Sequence, residues 1–248
     1  SETGLLEFSG KQLREMIKKT FFAISPDETR QALNGLLLEM EQGKVNLVGT
    51  DGHRLALIKR TAGKSNGADA DPNGYLLPKK VLSELLKSAD QDDTTYTFSV
   101  KDNQLAFIQD KEVIISRKVD GKFPNYRQVI PGDKPLQVKV NKEDRGHALK
   151  RVALLADEKS KMVRFEITSG QITLISDNTE LGAAREEMAI DYDGDEVTIG
   201  LNARYVIDVL AAVEGDSVTL NLKDENHSCL ITTENDADYL SIVMPMRL

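Results

Sequence analysis

Cysteine, histidine and long apolar runs are all scarce in this 248-residue chain, and each scarcity excludes a class of protein. The single cysteine, Cys229, can form neither an internal disulfide nor a cysteine-based zinc site, which indicates a reducing compartment. The three histidines, His53, His147 and His227, lie far apart, which argues against a histidine-rich metal site. No apolar run approaches the roughly 18 residues of a membrane span, and residues 1–10 do not resemble a secretory signal. We therefore expect a cytoplasmic protein that uses neither a metal nor a cofactor.

What the chain does contain is the composition of a globular protein, with 40% hydrophobic and 29% charged residues. Its length suits one large domain or two of ordinary size. The net charge of −8 argues against a protein that coats nucleic acid with its whole surface. It leaves room for one that concentrates basic residues on a single face.

The spacing of apolar residues predicts four amphipathic helices separated by β-type runs. Intervals of three and four recur in each helical window, and Asn141 and Asn202 are suitable N-caps. The predicted helices are residues 10–23, 78–89, 141–156 and 202–213. The predicted strands are residues 36–39, 45–49, 54–58, 95–100, 105–109, 113–117, 163–168, 171–176, 218–222, 228–232 and 239–244. Because several antiparallel strands follow each helix, the order indicates an α+β fold and not a doubly wound parallel sheet.

The second half of the chain resembles a copy of the first. Residues 165–177 align with residues 38–51 with one residue of slack, and the second and fourth predicted helices match at an offset of 124. Each copy is itself built from a fainter repeat of a helix followed by antiparallel strands. A stretch rich in proline and glycine at residues 130–135 is the expected joint. We therefore predict two domains, residues 1–131 and 132–248.

Basic residues are concentrated in the predicted helices. The four helical windows hold 12 basic and 5 acidic residues, a net charge of +7, so the rest of the chain carries −15. One interpretation is that solvated helix faces simply carry lysine. The other is that the helices line a surface facing a polyanion, with the acidic strands turned away.

The string of residues 49–55, Gly-Thr-Asp-Gly-His-Arg-Leu, is the sharpest candidate for chemistry. Asp51 and His53 suggest two members of a catalytic triad, and a small α+β hydrolase is the alternative function that they support. However, Asp-Gly between two β runs is typical of a hairpin turn. The sequence has no G-x-S-x-G motif and no glycine-rich phosphate loop, and Cys229 has no basic neighbour to activate it. We therefore expect a turn at this string.

The C-terminal string, residues 241–248, is unusually apolar for a chain end. We expect Ile242 and Val243 to belong to the core of a last strand. Beyond Pro245 a strand is hard to continue, so Met246 and Leu248 should lie on the surface. Exposed methionine is typical of surfaces that accept several partners.

These strings resemble the bacterial β sliding clamps, the processivity subunits of the replicative DNA polymerase. The matching stretches are residues 32–39, 50–55, 118–126, 201–205 and 243–248, in the family's order along the whole chain. The resemblance implies two tandem copies of the DNA-clamp domain, similar to the family's second and third domains, with the first copy absent. It further implies a non-enzymatic protein whose full-length form is a ring-shaped homodimer around double-stranded DNA.

The resemblance also implies two functional surfaces. In the family, the replicative polymerase, the clamp loader and repair polymerases dock a short linear motif between the second and third domains. By position, this partner-peptide cleft would comprise Leu33, Thr50, Gly52, His53, Arg54, Leu55, Pro124, Val129, Asn202, Tyr205, Ser228, Ile242, Val243, Met244, Pro245, Met246 and Arg247. Gln128 stands where an arginine often sits, and Ser160 lies where a bulky residue can occur. The DNA-facing residues would be Lys11, Arg14, Lys18, Lys19, Arg30, Lys80, Lys150 and Arg151.

Overall fold

The computed structural model describes residues 6–41, 43–63, 71–89, 94–110, 112–119, 121–132 and 136–248. The chain divides into two compact units, unit 1 (Ser1–Asn125) and unit 2 (Tyr126–Leu248). This division precedes the expected boundary at 131/132, because unit 2 already begins with a 3-10 turn over Tyr126–Val129 whose Tyr126 is buried. Residues 133–135 of the predicted joint lie outside the described residues. No helix in the described part of the chain is both long and apolar enough to cross a membrane.

Unit 1 contains two sets of antiparallel strands and two helices among its described residues. In chain order its elements are β1 (Leu6–Ser9), α1 (Gly10–Thr20), β2 (Gly35–Glu41), β3 (Lys44–Thr50), β4 (Arg54–Thr61), β5 (Tyr75–Pro78), α2 (Lys79–Ser88), β6 (Thr95–Lys101), β7 (Gln104–Ile108) and β8 (Val113–Arg117). The strands follow the orders β1-β6-β7-β8 and β5-β2-β3-β4. Short 3-10 turns at Phe21–Ala23 and Gln31–Leu33 connect α1 to β2.

Unit 2 has the same succession of elements. They are β9 (Leu136–Asn141), α3 (Lys142–Val152), β10 (Met162–Thr168), β11 (Gln171–Asn178), β12 (Gly182–Ala189), β13 (Val197–Asn202), α4 (Ala203–Ala212), β14 (Ser217–Leu222), β15 (Cys229–Thr232) and β16 (Tyr239–Val243). The strand orders are β12-β11-β10-β13 and β9-β14-β15-β16. The predicted α+β fold of two tandem copies is confirmed, and each copy contains strand, helix and three strands twice over.

The helices pack their apolar stripes against these strands. In α1 the stripe Leu13, Met16 and Ile17 is buried, as its spacing predicts. In α3 the corresponding residues Leu149 and Val152 are buried as well. Helix α3 ends at Val152 and continues as a 3-10 turn over Ala153–Leu155, so the predicted helix 141–156 is shorter than expected.

The two predicted N-caps are present. The side-chain oxygen of Asn141 accepts a hydrogen bond from the backbone N–H of Asp144 at 2.9 Å. The side-chain oxygen of Asn202 accepts from the N–H groups of Arg204 and Tyr205 at 3.0 and 3.3 Å. These bonds satisfy donors that would otherwise have no partner in the first turn of each helix.

We predict that Asn141→Ala lowers the free energy of unfolding by about 1 kcal/mol, because the N–H of Asp144 loses its acceptor. Asn141→Ser should retain most of this stability, since a hydroxyl oxygen can accept the same bond. Urea unfolding followed by circular dichroism measures both variants. Equal losses in the two variants would contradict a capping role.

Candidate functional site

The turn between β3 and β4 is held together by one carboxylate. Oδ1 of Asp51 accepts hydrogen bonds from the backbone N–H groups of His53 and Arg54 at 2.9 and 3.0 Å, and Oδ2 accepts from Nε of Arg54 at 3.0 Å. The hydroxyl of Thr50 donates to the carbonyl oxygen of Arg54 at 2.6 Å. Gly52 has a φ of +92°, a backbone conformation that glycine adopts without strain. These contacts fix the turn and leave His53 exposed at its tip.

The same contacts argue against the hydrolase alternative. A triad carboxylate binds the imidazole ring of its histidine, whereas the bonds of Asp51 go to the backbone N–H of His53 and to Arg54. Asp51 and Arg54 are both buried, and the Arg54 guanidinium lies 5.5 Å from the centre of the Phe22 ring. Nη1 of Arg30 donates to the carbonyl oxygen of Asp51 at 3.0 Å. Asp51 therefore organises the turn.

The predicted cleft residues of unit 1 fall into two groups. Leu33, Thr50, Arg54 and Leu55 are buried, and the backbone carbonyl of Leu33 accepts from the N–H of Ser25 at 2.9 Å. Gly52, His53 and Pro124 are exposed. The structure thus brings five predicted residues together in one turn, residues 50–55, with an exposed tip and a buried base.

In unit 2 a pocket of about 290 Å³ contains three of the predicted cleft residues, Val129, Ser228 and Met244. Val129 and Met244 are both large apolar side chains that remain 40% and 37% exposed. The remaining lining residues are Gln128, Ile130, Pro131, Asn221, Leu222, Lys223, Asn226, His227. The walls come from the first turn of unit 2, the β14–β15 connection and the residue that follows β16. The pocket is therefore apolar on its walls and polar at its rim.

Of the β14–β15 connection, which supplies this polar rim, sequence reasoning found Ser228 but missed Asn226 and His227. Oδ1 of Asp224 accepts from the N–H groups of Asn226 and His227 at 2.8 and 3.1 Å and lies 2.7 Å from Nδ1 of His227. The hydrogen bond with the His227 side chain holds the pKa of the Asp224 carboxyl below its usual value. An Asp followed by Asn and His between two β runs is a signal for such a turn.

The C-terminal residues are anchored more firmly than the sequence suggests. Ile242 and Val243 are buried in β16, opposite Leu230 and Cys229 in β15, as the core interpretation predicts. The N–H of Met246 donates to the carbonyl oxygen of Gly200 in β13 at 2.8 Å, so Met246 is half-buried and not fully on the surface. Pro245 is half-buried; Arg247 and Leu248 are exposed.

Two further predicted cleft residues lie at the start of α4. The Asn202 side-chain amide donates to the carbonyl oxygen of Ser160 at 2.9 Å, in addition to capping the helix. Tyr205 is half-buried in the first turn of α4. Asn202 thereby links the loop that contains Ser160, one of the two departures from the family pattern, to the helix.

The predicted DNA-facing residues differ in their exposure to solvent and in their ion pairs. Lys11, Lys18, Lys80 and Lys150 are exposed, and Arg14 is half-buried. Arg30 is exposed, with its guanidinium bound to the Asp51 carbonyl. Arg151 is exposed and forms a two-pronged ion pair with Glu186. The structure therefore presents the lysines of this set, apart from Lys19, to solvent.

Lys19 does not lie on an exposed face, and that prediction is wrong. It is 5% exposed, and its Nζ donates to Oε1 of Glu15 at 2.9 Å. Glu15 also binds the guanidinium of Arg60 in β4, through Nη2 at 2.5 Å and Nε at 3.4 Å. Burial raises the pKa of Glu15, but the hydrogen bonds from Arg60 and Lys19 outweigh it and hold the pKa below the usual value.

Metal and nucleophile chemistry find no support in the part of the chain that the structure describes. It contains no group of three or more His, Cys, Asp and Glu side chains placed to hold a metal ion. Cys229 is fully buried in β15, and burial raises the pKa of its thiol to about 12. The thiol therefore stays protonated at neutral pH and packs as a small apolar side chain.

Exposed apolar residues occur at the edge of a strand set in each unit. In unit 1 the edge strand β8 carries Val113 and Ile115, which are 54% and 58% exposed. In unit 2 Leu181 precedes the edge strand β12 and is 61% exposed, and Leu154 follows α3 and is 76% exposed. Unpaired edges with apolar side chains favour association with another chain or domain.

Comparisons with known proteins agree with this architecture. Residues 7–125 match the family model of the DNA polymerase III beta subunit, central domain, and residues 127–247 match its C-terminal domain. The beta sliding clamp of Caulobacter vibrioides is 35% identical over 241 residues, which cover 96% of this chain and 64% of the relative. That of Pseudomonas putida is 32% identical over 237 residues, with the same coverage. The chain thus spans about two thirds of the length of these relatives.

Solved structures give the same result. The crystal structure of the DNA polymerase sliding clamp from Pseudomonas aeruginosa has a TM-score of 0.92 at 31% identity, covering 100% of this chain and 68% of that one. The sliding clamp from Bartonella birtlesii, bound to griselimycin, has a TM-score of 0.93 at 30% identity, covering 100% and 67%.

The Glu15 network leads to a prediction about pH. Because the pKa of Glu15 is lowered by folding, its ionised form stabilises the protein above the unfolded-state pKa, near 4.5, and this stability is lost as the pH falls through the folded-state value. The loss of unfolding free energy in Glu15→Gln should therefore be largest at neutral pH and shrink below about pH 4.5. Urea unfolding at pH 7 and at pH 4 measures it.

Glu84→Gln is the matched control, since Glu84 forms an exposed ion pair with Lys87 on α2. Exposed pairs contribute little, so this variant should differ from the wild type only slightly at either pH. A Glu15→Gln loss that is equal at pH 7 and pH 4 would mean that packing, and not charge, accounts for the effect.

Proposed function

The chain belongs to the family of bacterial β sliding clamps, the β subunits of DNA polymerase III, and we propose that it forms part of a ring that encircles DNA and docks partner proteins. This family is non-enzymatic, so the prediction that the chain is not an enzyme is confirmed. We propose further that it acts in the bacterial cytoplasm, where it tethers the replicative polymerase, the clamp loader and repair polymerases to double-stranded DNA.

The observation that carries the docking proposal is the unit 2 pocket. Its apolar walls include Val129 and Met244, which remain open to solvent, as in a surface that binds a partner. A volume of about 290 Å³ suits the apolar side chains of a short segment better than a large ligand. Related clamps from Bartonella birtlesii and Pseudomonas aeruginosa have been solved bound to griselimycin, which supports a ligand-binding surface in this family.

We propose that a partner's linear motif places its leucine and phenylalanine side chains against these walls. The β14–β15 rim, with Asn226, His227 and Ser228, would then bind polar groups of the same segment. The exposed His53 tip of the unit 1 turn, and Pro245, Met246 and Arg247 of the tail, are proposed to contribute further contacts.

We predict that Met244→Ala weakens binding of a peptide with a leading glutamine and a terminal leucine–phenylalanine pair by tenfold or more. Loss of one apolar wall forfeits roughly 1.5–3 kcal/mol, and about 1.4 kcal/mol corresponds to a factor of ten. Met244 lies directly after β16 (Tyr239–Val243) and its side chain is exposed, so the fold should survive its truncation. Calorimetric titration measures the affinity, and thermal melting checks the fold.

Met188→Ala is the matched control, because Met188 is a half-buried methionine on β12 that does not line the pocket. It should leave the peptide affinity unchanged. His53→Ala, at the exposed tip of a turn held by Asp51, should also weaken the peptide without lowering the melting temperature. Unchanged affinity in Met244→Ala would place the partner site elsewhere, and turnover lost in His53→Ala would restore the hydrolase alternative.

The DNA-facing surface is proposed to comprise the exposed cations Lys11, Lys18, Lys80 and Lys150, together with Arg14 and Arg30. Contacts from such side chains to phosphates carry no sequence information, which suits a protein that moves along DNA. Binding should be weak and steeply dependent on salt, with log K falling by about 0.9 per phosphate contacted for each log unit of salt.

The ring itself is proposed to close through the exposed edges. Strand β8 with Val113 and Ile115, and the β12 edge with Leu154 and Leu181, would each be covered by a further clamp domain.

We predict that this chain alone is a monomer or a weak dimer, because neither edge finds the domain that covers it. Sedimentation velocity at micromolar concentration measures this. Leu154→Glu should leave the sedimentation coefficient unchanged in a monomer. A stable closed ring formed by this chain alone would contradict the proposed closure.

A further inference from the structure

The first helix of each unit ends in two consecutive basic residues. Both α1 and α3 have 11 residues, and the pairs Lys18-Lys19 and Lys150-Arg151 occupy equivalent positions, 132 residues apart, in the last turn. The first member of each pair, Lys18 or Lys150, is exposed. The second member, Lys19 or Arg151, is bound by a glutamate. The two units therefore share one pattern, an exposed lysine followed by a cation that a glutamate binds.

In unit 1 the holding glutamate belongs to the same helix. Glu15 lies one turn before Lys19, and the two side chains are 29% and 6% exposed. The carboxylate also binds Arg60 on β4, so it joins α1 to the strand beneath it. Lys19 is thereby kept out of reach of any ligand that approaches the exposed face of α1.

In unit 2 the glutamate comes from a strand. Glu186 of β12 accepts from Nε of Arg151 at 3.1 Å and also from Nη2, so two parallel bonds join the carboxylate and the guanidinium. This two-pronged geometry is the one in which arginine binds a phosphate. Glu186 therefore occupies the Nε–Nη2 edge of the guanidinium, one of the edges through which an arginine binds a phosphate.

We propose that Glu15 and Glu186 are built-in competitors for DNA phosphate, so that each unit offers one cation of the pair and withholds the other. The inference rests on the proposed DNA-facing role of these helices. Because every phosphate contact adds to affinity and to salt dependence, a withheld cation weakens the hold on DNA. The glutamate that binds the second cation comes from α1 in unit 1 and from β12 in unit 2. Because different elements supply it, the shared pairing does not follow from the sequence of one helix.

The competitor role differs from plain repulsion. Any carboxylate near DNA lowers affinity by its charge, whereas a competitor acts only through the cation that it holds. Glu187 provides the comparison, because it carries the same charge at the next position of β12, on the opposite face, and pairs with Arg185.

The test is the salt dependence of binding to a labelled 30-base-pair duplex, measured by fluorescence anisotropy between 50 and 200 mM salt with this two-unit chain. Lys150→Gln should reduce the slope of log K against log salt by about 0.9, and Arg151→Gln by much less. Glu186→Gln should steepen the slope by about 0.9. Between 50 and 200 mM salt, the ratio of its affinity to that of the wild type should therefore change by about threefold. Glu187→Gln should leave the slope unchanged.

The double variant Arg151→Gln with Glu186→Gln decides the mechanism. It should bind like Arg151→Gln alone, because the released cation is gone. If the Glu186→Gln effect persists in this background, or if Glu187→Gln produces the same effect, Glu186 acts by repulsion and the inference is overturned.

Two further outcomes are distinguishable. If the wild type shows no salt-dependent binding at all, the proposed DNA-facing role fails, and the inference fails with it. If the wild type binds but Arg151→Gln and Lys150→Gln reduce the slope equally, the inference alone fails. This comparison also decides the matter if Glu186→Gln does not fold. Lys18→Gln and Lys19→Gln form the same pair in unit 1, with Lys18 expected to carry the effect.

Discussion

The direct junction between a strand and the helix that follows it sets the geometry of both units. In each of the four junctions the last residue of the strand is also the helix N-cap: Ser9, Pro78, Asn141 and Asn202. Each of these residues keeps an extended backbone, with φ between −61° and −71°, so the chain turns from strand to helix without a loop. The direction of the helix axis relative to the strands is thereby fixed. This direction decides where the apolar stripe and the basic face of the helix lie, which the spacing of residues in the sequence does not determine.

This junction also explains why some strands can be predicted from the sequence and others are missed. The four helices and eleven strands have apolar periodicities bounded by turn residues, and the structure contains all of them. Strands β1, β5, β9 and β13 are missed because each is short and passes directly into a helix, with no turn residue to mark the end of the strand. Strand β12 is missed for another reason: residues 182–189 contain one large apolar residue, Met188, since an edge strand with exposed side chains needs little apolar surface.

Some of the functional residues can be recognised in the sequence, and others can be found only in the structure. The turn at Asp51 and the apolar tail are visible in the sequence, because Asp-Gly between strands and methionines beside a proline are unusual strings. The rim residues Asn226 and His227 are missed, because the polar string around Asp224 predicts a turn but does not indicate that the turn lines a pocket. Nor can a count of charges distinguish Lys18 from its neighbour Lys19. Only the position of Glu15, one turn earlier and facing Arg60, decides that one is exposed and the other buried.

The identity of the exposed cations matters for a surface over which DNA is proposed to move. Lysine is a compact charge on a flexible stem that can exchange one phosphate for the next, whereas the planar guanidinium of arginine fixes the geometry of its partner. In the last turn of both α1 and α3 the first member of the pair is an exposed lysine, and the exposed arginine of unit 2 is engaged by Glu186. When the lysine is exposed and the arginine is ion-paired, the surface keeps its electrostatic attraction for DNA. It avoids the arginine contacts that would fix the protein at one position along the duplex. The Arg151–Glu186 pair joins β12 to α3, and under the proposed DNA-facing role it would serve movement along DNA as well.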